Sequence, residues 1–370
     1  MKSLFTILFS SISGWASAQD TLRLSLLFAG DIMQHESQMK AAYDPATNRY
    51  EYGTAFEQIK TLISSADLAI GNLELTLGGK PYTGYPQFSA PDELLPAIKD
   101  AGFDVLVTAN NHSADRGRKG IERTIEKLDS LNIPHTGTFR DTVEWLNHHP
   151  LALEKNGIKL LVLNYTYGTN GMPVRPPNLI NRIDTLQIQR DLEKAKTRNS
   201  DFVIVFFHWG AEYIQTPGKD QTRVAEFCLR HGAQAVIGSH PHVLQPMEWR
   251  KDMGQVVVYS LGNFISAQRA RYRNGGAVFH LDLMKVVSDK PETKTTIVDA
   301  SYSLVWVNRM TDDRRSFQIV PVGDTGVDSL MIRSPAGRAM MKEFIDDSRE
   351  FFRQTNKGVR ERSAVLRKDQ

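Results

Sequence analysis

Six times along this chain an apolar run ends in a cluster of Gly, Asn, His or carboxylate residues. Residues 22–29 lead into Gly30-Asp31, residues 66–70 into Gly71-Asn72-Leu73-Glu74, and residues 103–108 into Ala109-Asn110-Asn111-His112. Further on, residues 202–207 reach His208-Trp209-Gly210, residues 235–237 reach Gly238-Ser239-His240-Pro241-His242, and residues 256–259 reach Ser260-Leu261-Gly262-Asn263. Short runs of Val, Ile, Leu and Phe without a polar face read as strands covered on both sides. Helical spacing is read over 55–65, 92–101, 120–131, 185–197 and 219–231, and a further strand over 158–164. The order is largely β-α-β-α, which predicts a layered α/β fold. In such folds ligands bind at the carboxyl ends of the strands, where these clusters sit.

Composition narrows the function classes. The chain has 370 residues, 41% of them hydrophobic, enough apolar surface to offset the entropy of ordering it. A formal charge of +3 is too small to point to nucleic acid. Lys357, Arg360, Arg362, Arg367 and Lys368, set against Glu361 and Asp369, supply that excess. The single cysteine, Cys228, excludes an internal disulfide and a thiolate zinc cluster, and its helical setting reads as an apolar filler.

The first 18 residues have Lys2, an apolar run over 4–9 and Ala16-Ser17-Ala18, the pattern of a cleaved signal peptide. The expected product is a secreted soluble chain from Gln19, periplasmic or extracellular. The main domain is read over 19–285. Residues 286–355 read as a strand-and-helix extension covering a sheet edge, and 356–370 as a frayed basic tail.

Asp31, Glu74, Asn111, His112, His208, His240 and His242 are the chemistry-bearing groups at the strand ends. Carboxylates with imidazoles and an amide suit Zn, Mn or Fe rather than Ca, as one or two divalent ions. His240 and His242 flank one proline, so on an extended chain their rings point to the same side. Trp209 and Tyr213 are expected to wall the pocket, and Glu212 to bind substrate or pair with an arginine. The loop 81–88 reads either as an aromatic lid or as surface packing. Arg175, in a loop, is a weaker candidate for meeting an acidic substrate. His135, His148, His149, His231 and His280 read as structural or solvent-facing. There is no Ser-His-Asp pattern and no G-x-G-x-x-G fingerprint.

The motifs at 30–33, 71–74, 109–117, 207–213, 238–242 and 259–264, in this order, resemble the bacterial capsule-synthesis protein family (CapA-type, poly-γ-glutamate synthesis). That family is similar in fold to calcineurin-like metallophosphoesterases, and the resemblance implies a four-layer α/β/β/α sandwich over about 24–285. It implies that Asp31 is the first metal carboxylate and that Glu74 takes the place of a bridging Asp. Asn111, His208, His240 and His242 complete the metal set. His112 faces the phosphoryl oxygen as general acid, with Asp115 orienting it, and Asn263 falls among the substrate-binding residues. One position departs from the metallophosphoesterase pattern: Met33 stands where a His is expected, with His35 two residues further on. The implied partners are an anionic polymer or envelope substrate and a membrane-bound polymer synthase. The chain reads as a metal-dependent hydrolase or transferase acting on a phosphoester or on the polyamide or glycan of the envelope, as a non-catalytic assembly factor that binds an anionic polymer, or as a periplasmic metallophosphoesterase unrelated to capsule.

Overall fold

A computed structural model of the chain describes residues 21–287, 294–309, 317–323, 332 and 334–362. The leader at 1–18 and tail residues 363–370 lie outside the described residues. Two sheets dominate. The nine-stranded sheet runs Phe317–Pro321, Thr295–Arg309, Gly275–Val286, Thr21–Ile32, Leu68–Leu73, Val105–Val107 and His135–Thr136. Asn263–Ile265 pairs beside Thr21–Ile32 in this sheet, and Arg360–Glu361 beside Thr295–Arg309. The six-stranded sheet runs Met247–Arg250, Gln255–Val258, Ala235–Ser239, Phe202–His208, Ile158–Thr166 and Leu151–Lys155. The six-stranded sheet has a parallel centre with an antiparallel strand at each edge. The nine-stranded sheet is parallel from Thr21–Ile32 to His135–Thr136, as the β-α-β order predicts, and antiparallel from Thr21–Ile32 to Phe317–Pro321.

Side-chain alternation produces the layers. Leu24, Leu26 and Phe28 of one sheet share a buried core with Leu160, Val162, Phe202, Ile204 and Phe206 of the other. Leu27 and Ala29 point the other way, onto Ile59, Leu94, Ile98 and Leu128 of helical segments. On the far side, Val203, Val205 and Phe207 meet Ile188 and Leu192 of helix Thr185–Thr197 and Val224 and Cys228 of helix Lys219–Arg230. The result is the expected α/β/β/α order. Each fully buried Phe or Leu contributes about 2 kcal/mol. Cys228 fills the outer core, and burial pushes its thiol up to about 12.

Helix Gly117–Ser130 shows how local sequence sets a boundary. Ile121, Ile125 and Leu128 form its buried stripe. Asn132 takes the left-handed conformation (φ 50°), its N–H bonding Asp129 O while Ile133 N–H reaches back to Leu128 O. This doubly bonded left-handed cap, closed by apolar contact between Leu128 and Ile133, ends the helix.

The region after 285 is no separate cover. Thr295–Arg309 pairs with Gly275–Val286 from Lys285 opposite Thr295 to Gly275 opposite Trp306, so these strands widen the first sheet. Helix Pro335–Thr355 starts on the Ser334 cap and buries Met341, Phe344, Ser348 and Phe352. Its apolar residues join the core between the sheets. Residues 356–362, read from sequence as the start of a frayed tail, are docked instead. Asn356 Oδ1 accepts from Met247 N–H at 2.8 Å, and Lys357 exchanges backbone bonds with Met247 and Trp249 (2.9 and 2.8 Å). A few residues on, Arg360–Glu361 pairs with the other sheet, and Arg349 grips Glu361 at 2.8–3.1 Å. Side-chain periodicity could not reveal this, because the segment is held by its backbone on the free edge of Met247–Arg250. Deleting residues 356–370 removes several such bonds at about 1 kcal/mol each and is expected to lower Tm by roughly 5 °C or more in a thermal melt. An unchanged Tm would contradict the docking.

Candidate metal centre

The inward face of each central strand continues from apolar core into polar site. Phe202, Ile204 and Phe206 are followed on the same face by His208, and Leu68 and Ile70 by Asn72 and then Glu74. Ile158, Leu160 and Val162 are followed by Asn164. Asp31 breaks the count, because regular alternation from Leu27 and Ala29 would aim it at the helices. The pairing register shifts between Ala29 and Asp31, and this irregularity at Gly30 turns the carboxylate inward. Gly30 has to be glycine there, since a Cβ would meet Gly262 O at 2.1 Å.

The expected ligands converge. The ligand atoms of Asp31, Glu74 and His208 lie within 4.8 Å of one another, as do those of Glu74, His240 and His242, so Glu74 is common to both triads. Asp31 Oδ2 lies 2.9 Å from His242 Nδ1 and accepts from the His240 backbone N–H at 3.3 Å. Asn111 Oδ1 is 2.8 Å from His208 Nε2, and Asn263 Oδ1 is 3.0 Å from His242 Nδ1. Asp31, Glu74 and His208 are wholly buried, and Asn111, His240 and His242 nearly so.

This pairing is incomplete at Glu74, whose nearest imidazole nitrogens, His208 Nε2 and His242 Nε2, stand off at 3.6 and 3.8 Å. Both oxygens of Glu74, together with His240 Nδ1 and Asn72 Oδ1, are buried without a hydrogen-bond partner. Burial, with the charge of Asp31 beside it, pushes the Glu74 carboxyl well above its ordinary range. Burial acts upward on Asp31 too, but the His242 hydrogen bond and charge, with Asn72, hold it below the usual value. Burial and neighbouring imidazoles drive His208 well down and His240 to about 3, so both rings keep free lone pairs. Two carboxylates and neutral imidazoles around an orphaned oxygen pair form a donor set that fits a divalent cation.

A matching family model decides the family. It is described as "Bacterial capsule synthesis protein PGA_cap" and covers residues 25–268. The chain belongs to the bacterial capsule synthesis protein family. It is 28% identical over 303 residues to the capsule biosynthesis protein CapA of Bacillus anthracis, covering 75% of this chain and 71% of that protein. The PGA biosynthesis protein CapA of Bacillus subtilis (strain 168) is 27% identical over 303 residues, covering 75% and 74%. Similar solved structures include the calcineurin-like phosphoesterase YfkN of Bacillus subtilis, with TM-score 0.45 and 14% identity over 90% of this chain and 100% of that one. Haemophilus influenzae NAD nucleotidase (NadN) gives TM-score 0.46 and 12% identity over 89% and 61%.

Within this family member, several site residues sit differently from the sequence reading. His240 and His242 are not on an extended chain. Their φ values are 100° and 57°, and a tight turn rather than strand alternation brings both rings to Glu74. Trp209 is no wall beside the ligands, because it follows His208 by one residue and so faces the outer core. There it stacks on Phe207 at 4.4 Å and donates to Tyr259 O at 2.9 Å. Its edge meets a cleft of about 570 Å³ that Tyr167 and Lys219 also line. The loop 81–88 divides: Tyr82 packs on Tyr50, Tyr85 is exposed, and Phe88 lies buried 4.5 Å from the His112 ring. Asp115 orients His112 through Nδ1 at 2.7 Å while also accepting from Phe88 N–H. Tyr213 sits at the mouth, its ring 6.0 Å from that of His242, with Glu212 hydrogen-bonded to it. The other imidazoles have structural partners, such as His149 on Asp191 and His280 on Ser303, or lie exposed, as His148 does.

Asn72 is the residue that sequence reasoning missed. Its Nδ2 donates to Asp31 Oδ1 at 2.8 Å and lies 3.2 Å from His208 Nδ1. The signal was its position two residues before Glu74, on the same strand face. At the departing position, Met33 is buried in the apolar cluster that includes Phe88. His35 lies outside both triads. It starts helix Glu36–Ala42, and its Nδ1 accepts from Ala267 N–H at 3.3 Å.

Asn164 holds the Asn111–His112 turn against the second sheet. Its Oδ1 accepts from Thr108 and Ala109 N–H at 3.1 and 2.6 Å, and its Nδ2 donates to Phe206 O at 3.1 Å. Asn164→Leu keeps the volume but removes all three bonds and strips the buried Ala109 N–H of its Asn164 acceptor, while Thr108 N–H keeps Thr136 O at 2.9 Å. The expected cost is about 3 kcal/mol in a urea unfolding curve, against under 1 kcal/mol if the bonds do not matter.

Proposed function

We propose that this chain is an exported, divalent-metal-dependent hydrolase or transferase acting on an anionic envelope polymer, with poly-γ-glutamate the leading candidate. The observation that carries this reading is the buried, donor-less Glu74 carboxylate shared by two ligand triads. The Bacillus relatives are proteins of capsule and PGA biosynthesis, which supports an anionic polymer as the substrate; a membrane-bound polymer synthase is the partner this reading proposes. The leader read at 1–18 supplies export to the periplasm or beyond.

Asp31, Glu74, Asn111, His208, His240 and His242 would hold one or two ions. The chemistry supplied by Mn, Zn or Fe when bound would be polarisation of a phosphoryl or carbonyl oxygen and a lowered pKa for water. His112 delivers a proton to the leaving group, and Asp115 fixes its tautomer by taking Nδ1–H. Tyr167, its ring 4.6 Å from that of His240, limits the approach of water from that side.

Metal analysis of the purified protein tests this reading. Asp31→Ala and His240→Ala are expected to lose at least half the bound metal. His112→Ala should keep the metal and lower hydrolysis of bis(p-nitrophenyl) phosphate or a γ-glutamyl anilide by about 10²- to 10⁴-fold. Metal content unaltered by both ligand substitutions would remove the metal centre.

Met33 favours a second reading, in which the chain binds the polymer without cutting it. A buried thioether is a poor ligand for the ions a carboxylate site selects, so one ion is held by fewer groups. Under the hydrolase reading Met33→His raises both metal occupancy and turnover. Raised occupancy without turnover on either probe selects the binding reading.

A further inference from the structure

Nine non-glycine residues among those described have positive φ, and five of them are asparagines, which tolerate it. The other four are Tyr213, His240, His242 and Tyr272. All four belong to the metal centre or its rim. Holding bulky side chains in this conformation costs about 1–3 kcal/mol each, and such strain collects where function requires it. The two histidines are accounted for by the ligand triads. The two tyrosines are not, and both lead to Arg273.

Tyr272 (φ 71°) closes a turn in which Arg273 N–H bonds Ala270 O. The Arg273 carbonyl accepts from Asn263 Nδ2 at 2.8 Å, and Asn263 Oδ1 lies 3.0 Å from His242 Nδ1. The backbone of Arg273 is therefore tied to a residue that touches a metal ligand. Its guanidinium carbon lies 3.3 Å from the centre of the Tyr213 ring, whose other neighbour is His242 at 6.0 Å. Tyr213 is fixed in turn by its N–H bond to Pro241 O at 2.8 Å. The cation thus sits one ring away from the ligand cluster, on a rim where Tyr213 is 38% exposed.

Among the described residues, no carboxylate forms an ion pair with Arg273. Glu212, the nearest acid in sequence to Tyr213, is engaged by the tyrosine hydroxyl. Arg271, two residues away, shows the contrast, since Asp347 takes it at 2.7 and 2.8 Å with Glu343 at 3.7 Å. A half-buried guanidinium, stacked flat and held from both ends yet lacking an acid, presents its N–H fork to an oxyanion brought from outside.

We infer that Arg273 and Tyr213 form an anion subsite on the rim of the metal centre, which takes a carboxylate or phosphate of the substrate beside the group held at Glu74. This rests on the proposed function and adds the residue pair that selects a negatively charged chain over a neutral one.

The test is calorimetric titration of the metal-loaded protein with a γ-linked glutamate pentamer, its fully methyl-esterified form and a glycerol phosphate oligomer, with metal content measured on every sample. Arg273→Ala is expected to weaken binding of the preferred anionic probe about 10- to 100-fold and to flatten its salt dependence. Arg273→Lys should recover only part, because an ammonium lacks the planar fork and stack. Tyr213→Leu should weaken binding less than Arg273→Ala, and Lys342→Ala, an exposed charge on the C-terminal helix, should change nothing. The ester should bind wild type and Arg273→Ala equally poorly. Preference for the pentamer or for the phosphate oligomer identifies the source of the oxyanion, and either supports the subsite. Wild-type affinity in Arg273→Ala with normal metal content overturns the subsite and leaves the metal centre standing. Binding of neither anionic probe by wild type also overturns it. Absence of bound metal in wild type sinks the functional reading separately.

Discussion

A strand residue two places beyond a core apolar residue points the same way as that residue, and the candidate metal centre depends on this period-two rule. His208 stands in that relation to Phe206, Asn72 to Ile70, and Asn164 to Val162. The apolar layer between the sheets and the polar cluster at its end are one continuous surface, changed in chemistry at a single level. Packing the sheets face to face therefore brings the ligands together without any long loop to carry them. Asp31, turned inward by the register shift at Gly30, and His240 and His242, placed by a tight turn, are the exceptions.

Bringing acids to the end of a dry core creates an electrostatic problem that the surrounding backbone only partly solves. Asp31 is covered by Asn72 of its own sheet and by His242 and the His240 N–H, from the turn that follows Ala235–Ser239 of the second sheet. Glu74 receives no such cover. The contrast between a satisfied and an unsatisfied carboxylate a few ångströms apart is what separates this cluster from an ordinary buried ion-pair network such as His149–Asp191–Tyr165, where the acid has its donors.

Much of this was legible in the sequence, and what was not has a physical cause. Strand ends carrying Asp31, Glu74, Asn111, His208, His240 and His242 were visible because apolar runs stop abruptly in polar clusters. The layered α/β class followed from strands with two apolar faces, and the four-layer order from the family resemblance alone. Trp209 was misjudged because adjacency in sequence means opposite faces on a strand. The geometry of His240 and His242 was hidden because positive φ in a non-glycine residue leaves no compositional trace. Residues 356–362 were hidden for a third reason: an edge strand offers backbone groups, and any side chains can answer them. Arg273 was beyond reach because its meaning lies in the absence of an acid, which only folding reveals.

The docking of residues 356–362 has a consequence for how the chain acquires its structure. The first strand, Thr21–Ile32, has one neighbour in Gly275–Val286, and the bonds joining the free edge of the second sheet to the last strand of the first come later still. Thr21–Ile32 therefore keeps an open edge until residues 275–286 are available to pair with it. Contacts so distant in sequence, from Thr21 to Val286 and from Met247 to Lys357, make closure of the two sheets slow.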